Sequence, residues 1–113
     1  GASVGRGLGS RFLKHIERTG LLVHLVSAEQ EDPVVAYRAI RAELEAFGRG
    51  LAEKSELVVL SKVDMLPPEQ VEQTLASLSA AIGVPVIALS VIDDVLLKSF
   101  SDTLTVRLKK ETE

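Results

Sequence analysis

Three short apolar runs, Leu21 to Val26, Leu57 to Leu60 and Val84 to Leu89, recur along this chain without the polar alternation that a half-exposed strand would show. Strands of that kind are buried on both faces, which demands a parallel sheet with helices on either side. The intervening segments supply the helices. Tyr37, Ile40, Leu44 and Phe47 fall at i, i+3, i+7 and i+10, and Val71, Leu75, Leu78 and Ile82 at i, i+4, i+7 and i+11, so each segment carries one apolar stripe. Asp32-Pro33 offers a capping side chain and an N1 proline to the first, and Pro67-Pro68-Glu69 opens the second. Gly48 and Gly83 stand where C-terminal caps belong. A further helix is expected from about Ser10 to Thr19, with Phe12, Leu13 and Ile16 as its apolar side and Gly20 as its stop. A last one from about Val95 to Lys110 carries Leu97, Phe100, Leu104 and Leu108, although Thr103, Thr105 and Val106 lower its intrinsic propensity. The order α-β-α-β-α-β-α with short loops implies right-handed crossovers. The expected fold is therefore α/β and three-layered, with three parallel strands and four helices.

Composition narrows the function classes. A chain of 113 residues, 46% hydrophobic, suffices for one domain with a core. Net charge is −3, and the basic residues are not pooled, which argues against nucleic acid as the main ligand. No cysteine is present, so a disulfide framework and a thiolate zinc site are both excluded, and two histidines cannot close a metal shell. No apolar run approaches the ~20 residues that span a bilayer, and the Gly-rich N-terminus lacks the apolar core of a signal peptide. These features point to a cytoplasmic protein without a membrane partner.

In open α/β sheets, ligands bind beyond the carboxyl ends of the strands. The first run leads into Ser27, the second into Ser61, Lys62 and Asp64, and the third into Ser90. Polar strand exits are common, but "SKVD" after a buried strand resembles the guanine-specificity motif of P-loop GTPases, usually Asn-Lys-x-Asp. The N-terminal stretch "GASVGRGLGSRFLKHIERTGLLVHLV" resembles the part of Obg-family GTPases that follows their Asp-x-x-Gly motif, comprising switch II, its helix and the next strand. The similarity continues through "DPVVAYRAIRAELEAFGRGLAEKSELVVLSKVDML" and covers about residues 1 to 90. It implies a partial Ras-like P-loop GTPase fold, with residues 1–113 forming a partial G domain that lacks the phosphate-loop half.

The resemblance implies a guanine site. Asp64 would accept hydrogen bonds from guanine N1–H and N2–H, where adenine offers an acceptor at N1 and no N2 donor. Lys62 would lay its alkyl stem along the base or sugar, and Ser61 stands where the family has Asn. Ser90-Val91 is similar to the Ser-Ala motif, whose backbone N–H meets guanine O6. GTP or GDP is then the implied cofactor, bound weakly or not at all by this segment. Neither Gly-x-x-x-x-Gly-Lys-Ser/Thr nor Asp-x-x-Gly occurs in the 113 residues, so no catalytic residue and no Mg²⁺ ligand is expected among them. Magnesium, GTP hydrolysis and a ribosome-assembly-type role are implied for the intact protein. Within the 113 residues, the strand from Leu21 to Val26 would be left with an open edge, inviting self-association.

Plainer readings accompany each motif. Lys62 and Asp64 could be a surface loop pair; Gly5, Gly7 and Gly9 a flexible terminus and not a switch; Arg11, Lys14 and Arg18 a solvated helix face. His15 and His24 suit packing or capping, and Asp93-Asp94 complements a helix dipole more readily than it holds a cation. The chain as a whole could also be a non-catalytic remnant or protein-interaction module that no longer binds nucleotide. A phosphoacceptor receiver module, suggested by "VPVIALS", lacks the necessary acidic residues.

Overall fold

The computed structural model describes residues 9–112, so the reading of Gly5 and Gly7 lies outside the described residues. Helices α1 (Ser10–Ile16), α2 (Pro33–Phe47), α3 (Pro68–Ile82) and α4 (Asp94–Thr112) alternate with strands β1 (Leu21–Ser27), β2 (Ser55–Ser61) and β3 (Ile87–Ala88). The strands are parallel in the order β1-β2-β3, with Leu21 opposite Ser55 and Ser27 opposite Ser61. This is an α/β fold of three parallel strands and four helices, consistent with part of a P-loop GTPase fold.

Strand alternation sorts the core into two layers. Val58 and Leu60 of β2 join Val26, Tyr37, Val63 and Leu78 on one face, where α2 and α3 lie. Leu57 and Val59 turn to the other face and meet Leu97, Phe100 and Leu104 of α4. Leu13, Leu44 and Leu51 form a third cluster that fastens α1 to α2. The central strand is sealed: Leu57 to Leu60 are each at most 4% exposed. Burying an aliphatic side chain of this kind stabilises by about 1.5 to 3 kcal/mol.

Several ends are fixed as the sequence suggests. Asp32 Oδ1 accepts from the Val34 and Val35 amides at 3.1 and 3.2 Å. Gly83 is left-handed at φ 85° and donates its N–H to Ser79 O, closing α3. Four expectations need correction. The helix α1 ends at Ile16, where the N–H and the hydroxyl of Thr19 both donate to Ile16 O, so Thr19 and not Gly20 closes it. The run from Val84 pairs over Ile87 and Ala88 alone, because Pro85 has no N–H and restricts Val84 before it. β1 is not buried on both faces: Val23 and Leu25 are 39% and 55% exposed, since α4 shields β2 and β3 from that side. Leu108 is 48% exposed, so the apolar stripe of α4 runs out past Leu104.

Candidate functional site

Parallel pairing brings the carboxyl ends of all three strands to one edge of the sheet, and backbone bonds stitch the exits together. Ala28 N donates to Ser61 O at 2.8 Å, Leu89 N to Leu60 O at 2.8 Å and Val63 N to Leu89 O at 3.3 Å. Between them the chain turns at Lys62, which is left-handed at φ 59° and caps a 3-10 turn over Val63–Met65. A side chain at positive φ is disfavoured, and such strain tends to collect at functional sites. The turn sends Val63 into the core, 8% exposed, and carries Asp64 toward the β3 exit.

There Ser90 meets it. The Ser90 hydroxyl donates to Asp64 Oδ1 at 2.8 Å and lies 3.4 Å from the Ile92 amide that it accepts from. Ser90 is 2% exposed and is the buried polar residue of the described core. Asp64 itself is exposed. A carboxylate has two oxygens and about four lone-pair positions, so one bond from Ser90 orients Asp64 while leaving acceptor capacity toward solvent. Burial of the donor makes this orientation durable.

Lys62 is held from the neighbouring strand exit. Its Nζ lies 2.9 Å from Glu29 Oε1, and the hydrogen bond and charge of Glu29 raise the ammonium above the ordinary lysine range. Ser61 stays at the strand end with its Oγ 3.4 Å from Val26 O. Val91 is 78% exposed beside Ser90, and Ile92, Val95 and Met65 are exposed around it, giving the exit loops an apolar rim. The five residues singled out from sequence, Ser61, Lys62, Asp64, Ser90 and Val91, thus all lie at the exits of β2 and β3. Beside the backbone bond from Val63 to Leu89, the side-chain bond from Ser90 to Asp64 joins those exits.

The aspartates at 93 and 94 act at a helix start. Asp93 Oδ1 accepts from the Val95 and Leu96 amides at 3.0 and 3.2 Å, which caps α4. Among the described residues, no group of three or more His, Asp or Glu side chains lies together as a metal-ligand cluster. Arg11, Lys14 and Arg18 are exposed, as a solvated helix face requires.

Sequence reasoning missed two features. One is Glu29 as the partner of Lys62; an acid one residue past Ala28 in an adjacent strand exit was the available signal. The other is a polar cluster at the opposite end of the sheet. Glu56 accepts from Tyr37 Oη at 2.8 Å, lies 3.2 Å from His24 Nδ1 and 3.6 Å from Arg41 Nη1, and its carbonyl accepts from Arg107 Nη2 at 3.1 Å. Burial pushes the Glu56 carboxyl up, but His24, Tyr37 and Arg41 outweigh it and hold it below the ordinary glutamate range. Tyr37 is pushed up to about 12 by burial and by Glu56, and its ring stacks on His24 at 4.8 Å. His24 packs on Tyr37 and also pairs with Glu56, a polar contact beyond the packing or capping expected of it. The spacing of Tyr37 and Arg41, one helical turn apart, hinted that α2 presents polar groups to one partner.

A groove of about 330 Å³ runs along the outer edge of β1, lined by Phe12, Ile16, Leu22, Val23, Leu25 and Leu44 among others. It is remote from the Asp64–Ser90 pair in the chain elements that line it. This groove therefore does not mark the polar site.

No family model matches the chain. Among characterised proteins, it is similar to "GTPase Obg" of Synechococcus sp. (strain JA-2-3B'a(2-13)), with 48% identity over 92 residues. The match covers 81% of this chain and 26% of that protein, so the chain spans about a quarter of the length of the relative it matches.

Proposed function

This chain is a segment of the Obg family of GTPases, and on that premise we propose that the strand exits around Asp64 form the guanine-recognition half of a nucleotide site. The observation that carries the reading is the bond from buried Ser90 to Asp64 Oδ1. It presets the carboxylate before any base arrives, which lowers the ordering cost of binding. Guanine N1–H and N2–H would then donate to Asp64, while adenine would leave the carboxylate facing an acceptor. Charge-assisted bonds are worth about 1.5 to 3 kcal/mol each, so the pair discriminates by about two to four orders of magnitude. Lys62 and Ser61 would border the base from β2, and Val91 from β3.

In this reading residues 1–113 are part of a G domain, and the phosphates and Mg²⁺ belong to residues outside them. The intact protein would bind GTP and GDP, hydrolyse GTP, and serve ribosome assembly in the cytoplasm. Phosphoryl transfer on such scaffolds depends on a phosphate loop and its metal, so the 113 residues would bind guanine without turning over GTP. The test is titration of the chain, and of a version extended upstream to include a phosphate loop, with fluorescent GDP and ADP analogues. The extended chain should bind GDP saturably and ADP far less. Absence of saturable GDP binding there would remove the reading.

A second reading, a protein-interaction module that has lost nucleotide, draws on the Glu29 carboxylate occupying Lys62 and on the exposed Val91 and Ile92. It predicts equal indifference to GDP and ADP in the extended chain.

A further inference from the structure

Lys62 and Asp64 leave one 3-10 turn two residues apart, a cation and an anion, yet their side chains are drawn to different neighbours. β2 lies between β1 and β3 in the sheet. Glu29 at the β1 exit takes the Lys62 ammonium at 2.9 Å, and Ser90 at the β3 exit takes the Asp64 carboxylate at 2.8 Å. In residues 27–37 and 61–97, which supply the strand exits, Lys62 is the one Lys or Arg. Two carboxylates pull on its ammonium, Glu29 more strongly and Asp64 less. Without Glu29, the remaining pull on Lys62 is that of Asp64.

Both partners of the ion pair start from fixed backbone. Ser27 stands opposite Ser61 in the register, its Oγ accepts from the Glu29 amide at 3.1 Å, and its carbonyl accepts from Gln30 N at 3.1 Å. Buried Ala28 donates its N–H to Ser61 O at 2.8 Å, which ties the chain just before Glu29 to the residue just before Lys62. At Lys62 the φ of 59° and the bond from Met65 N to Lys62 O at 3.0 Å set where the stem begins.

We propose that Glu29 is a positioning residue of the base site, which keeps the Lys62 ammonium off Asp64 and so leaves the acceptor capacity of Asp64 open to guanine. This rests on the guanine reading of Asp64. A carboxylate paired with Lys62 has to release that partner before it accepts from guanine N1–H and N2–H, whereas a base that makes no bond to Asp64 loses nothing by the pairing. Glu29 therefore acts on base preference through Lys62, without touching the nucleotide.

Competition titrations of GDP against ADP, on the chain extended upstream to include a phosphate loop, read this preference. Glu29→Gln should lower it by roughly two- to fivefold, the range of an exposed ion pair. The difference between parent and variant should disappear at about 1 M salt, where the screening length is about 3 Å. Lys62→Met keeps an apolar stem and removes the ammonium, so adding it to Glu29→Gln should bring the preference back to that of Lys62→Met alone. A residue that merely stiffened the β1 exit would not be rescued by loss of the lysine charge. A preference in Glu29→Gln equal to or above that of the parent overturns the proposal, as does failure of Lys62→Met to restore it; in either case a parent that prefers GDP leaves the guanine reading standing. A parent without saturable GDP binding overturns both.

Discussion

Lys62 holds φ at 59° in a place where glycine would sit without strain, and the geometry it enforces is what hands Asp64 to Ser90. The pair is asymmetric in burial, and that asymmetry allows folding to be tested apart from the proposed recognition. Replacing Asp64 with alanine leaves the buried Ser90 hydroxyl without its acceptor, at a cost of about 1 to 3 kcal/mol. Asp64→Asn keeps an oxygen for Ser90 and exchanges the other for a donor. Urea unfolding of the 113-residue chain should therefore find Asp64→Ala clearly destabilised and Asp64→Asn within about 1 kcal/mol of the parent. In the extended chain both should lose the preference for GDP over ADP. Retention of that preference in Asp64→Asn would take Asp64 out of the site. Glu29 makes a different contribution: Glu29→Gln frees the Lys62 ammonium without touching the core, and the Lys62 pKa should fall toward the ordinary lysine value when followed by nitrogen-15 NMR. No movement would show that the ion pair is not populated in solution. Lys62 and Asp64 were legible in sequence because a motif placed them. Glu29 was not, because nothing local to β2 says which residue of another strand exit lies opposite.

At the scale of elements, period and capping chemistry read α2 and α3 well, since their stripes and end residues are local properties. Both ends of α2 and α3 fall at the proline and glycine signals. β2 begins earlier than its apolar run, at Ser55, because Glu56 remains in the strand. Its charge is satisfied by His24 on β1 and by Tyr37 and Arg41 on α2, none of which a window around residue 56 contains. The cluster binds three elements at the end of the sheet away from Asp64, so it acts on stability and not on the site. Its titration has two signs. Glu56 sits below the ordinary glutamate range, so its contribution is complete above the unfolded-state value of 4.5 and is lost as pH falls through the lower folded value. Tyr37 is raised from 10.0 to about 12, so its contribution is complete below pH 10 and fades as pH rises from there toward 12. Thermal unfolding across pH should show a shoulder on the alkaline side that Tyr37→Phe removes. If the alkaline decline is the same in Tyr37→Phe, the hydroxyl-to-Glu56 bond is not its source.

For the whole molecule, the question is what the proposed guanine half of a site would do by itself. The two core layers meet at β2, and the exits that carry Ser61, Lys62, Asp64 and Ser90 issue from that sealed strand and its neighbour, so the proposed base contacts would rest on packing within the described residues. The phosphates are another matter: the 113 residues contain no Gly-x-x-x-x-Gly-Lys-Ser/Thr. Base contacts without phosphate contacts should give a dissociation constant on the order of 1 mM. At about five times that concentration a ligand stabilises the fold by about 1 kcal/mol, which for a domain of this size raises the melting temperature by about 4 °C. Because the gain comes from the base, guanosine and GDP should produce equal shifts, adenosine and ADP none, and Mg²⁺ should change neither. A GDP shift well above that of guanosine would mean that this segment holds phosphate by groups other than a phosphate loop. Equal shifts with guanosine and adenosine would mean that Asp64, although preset by Ser90, does not read the base.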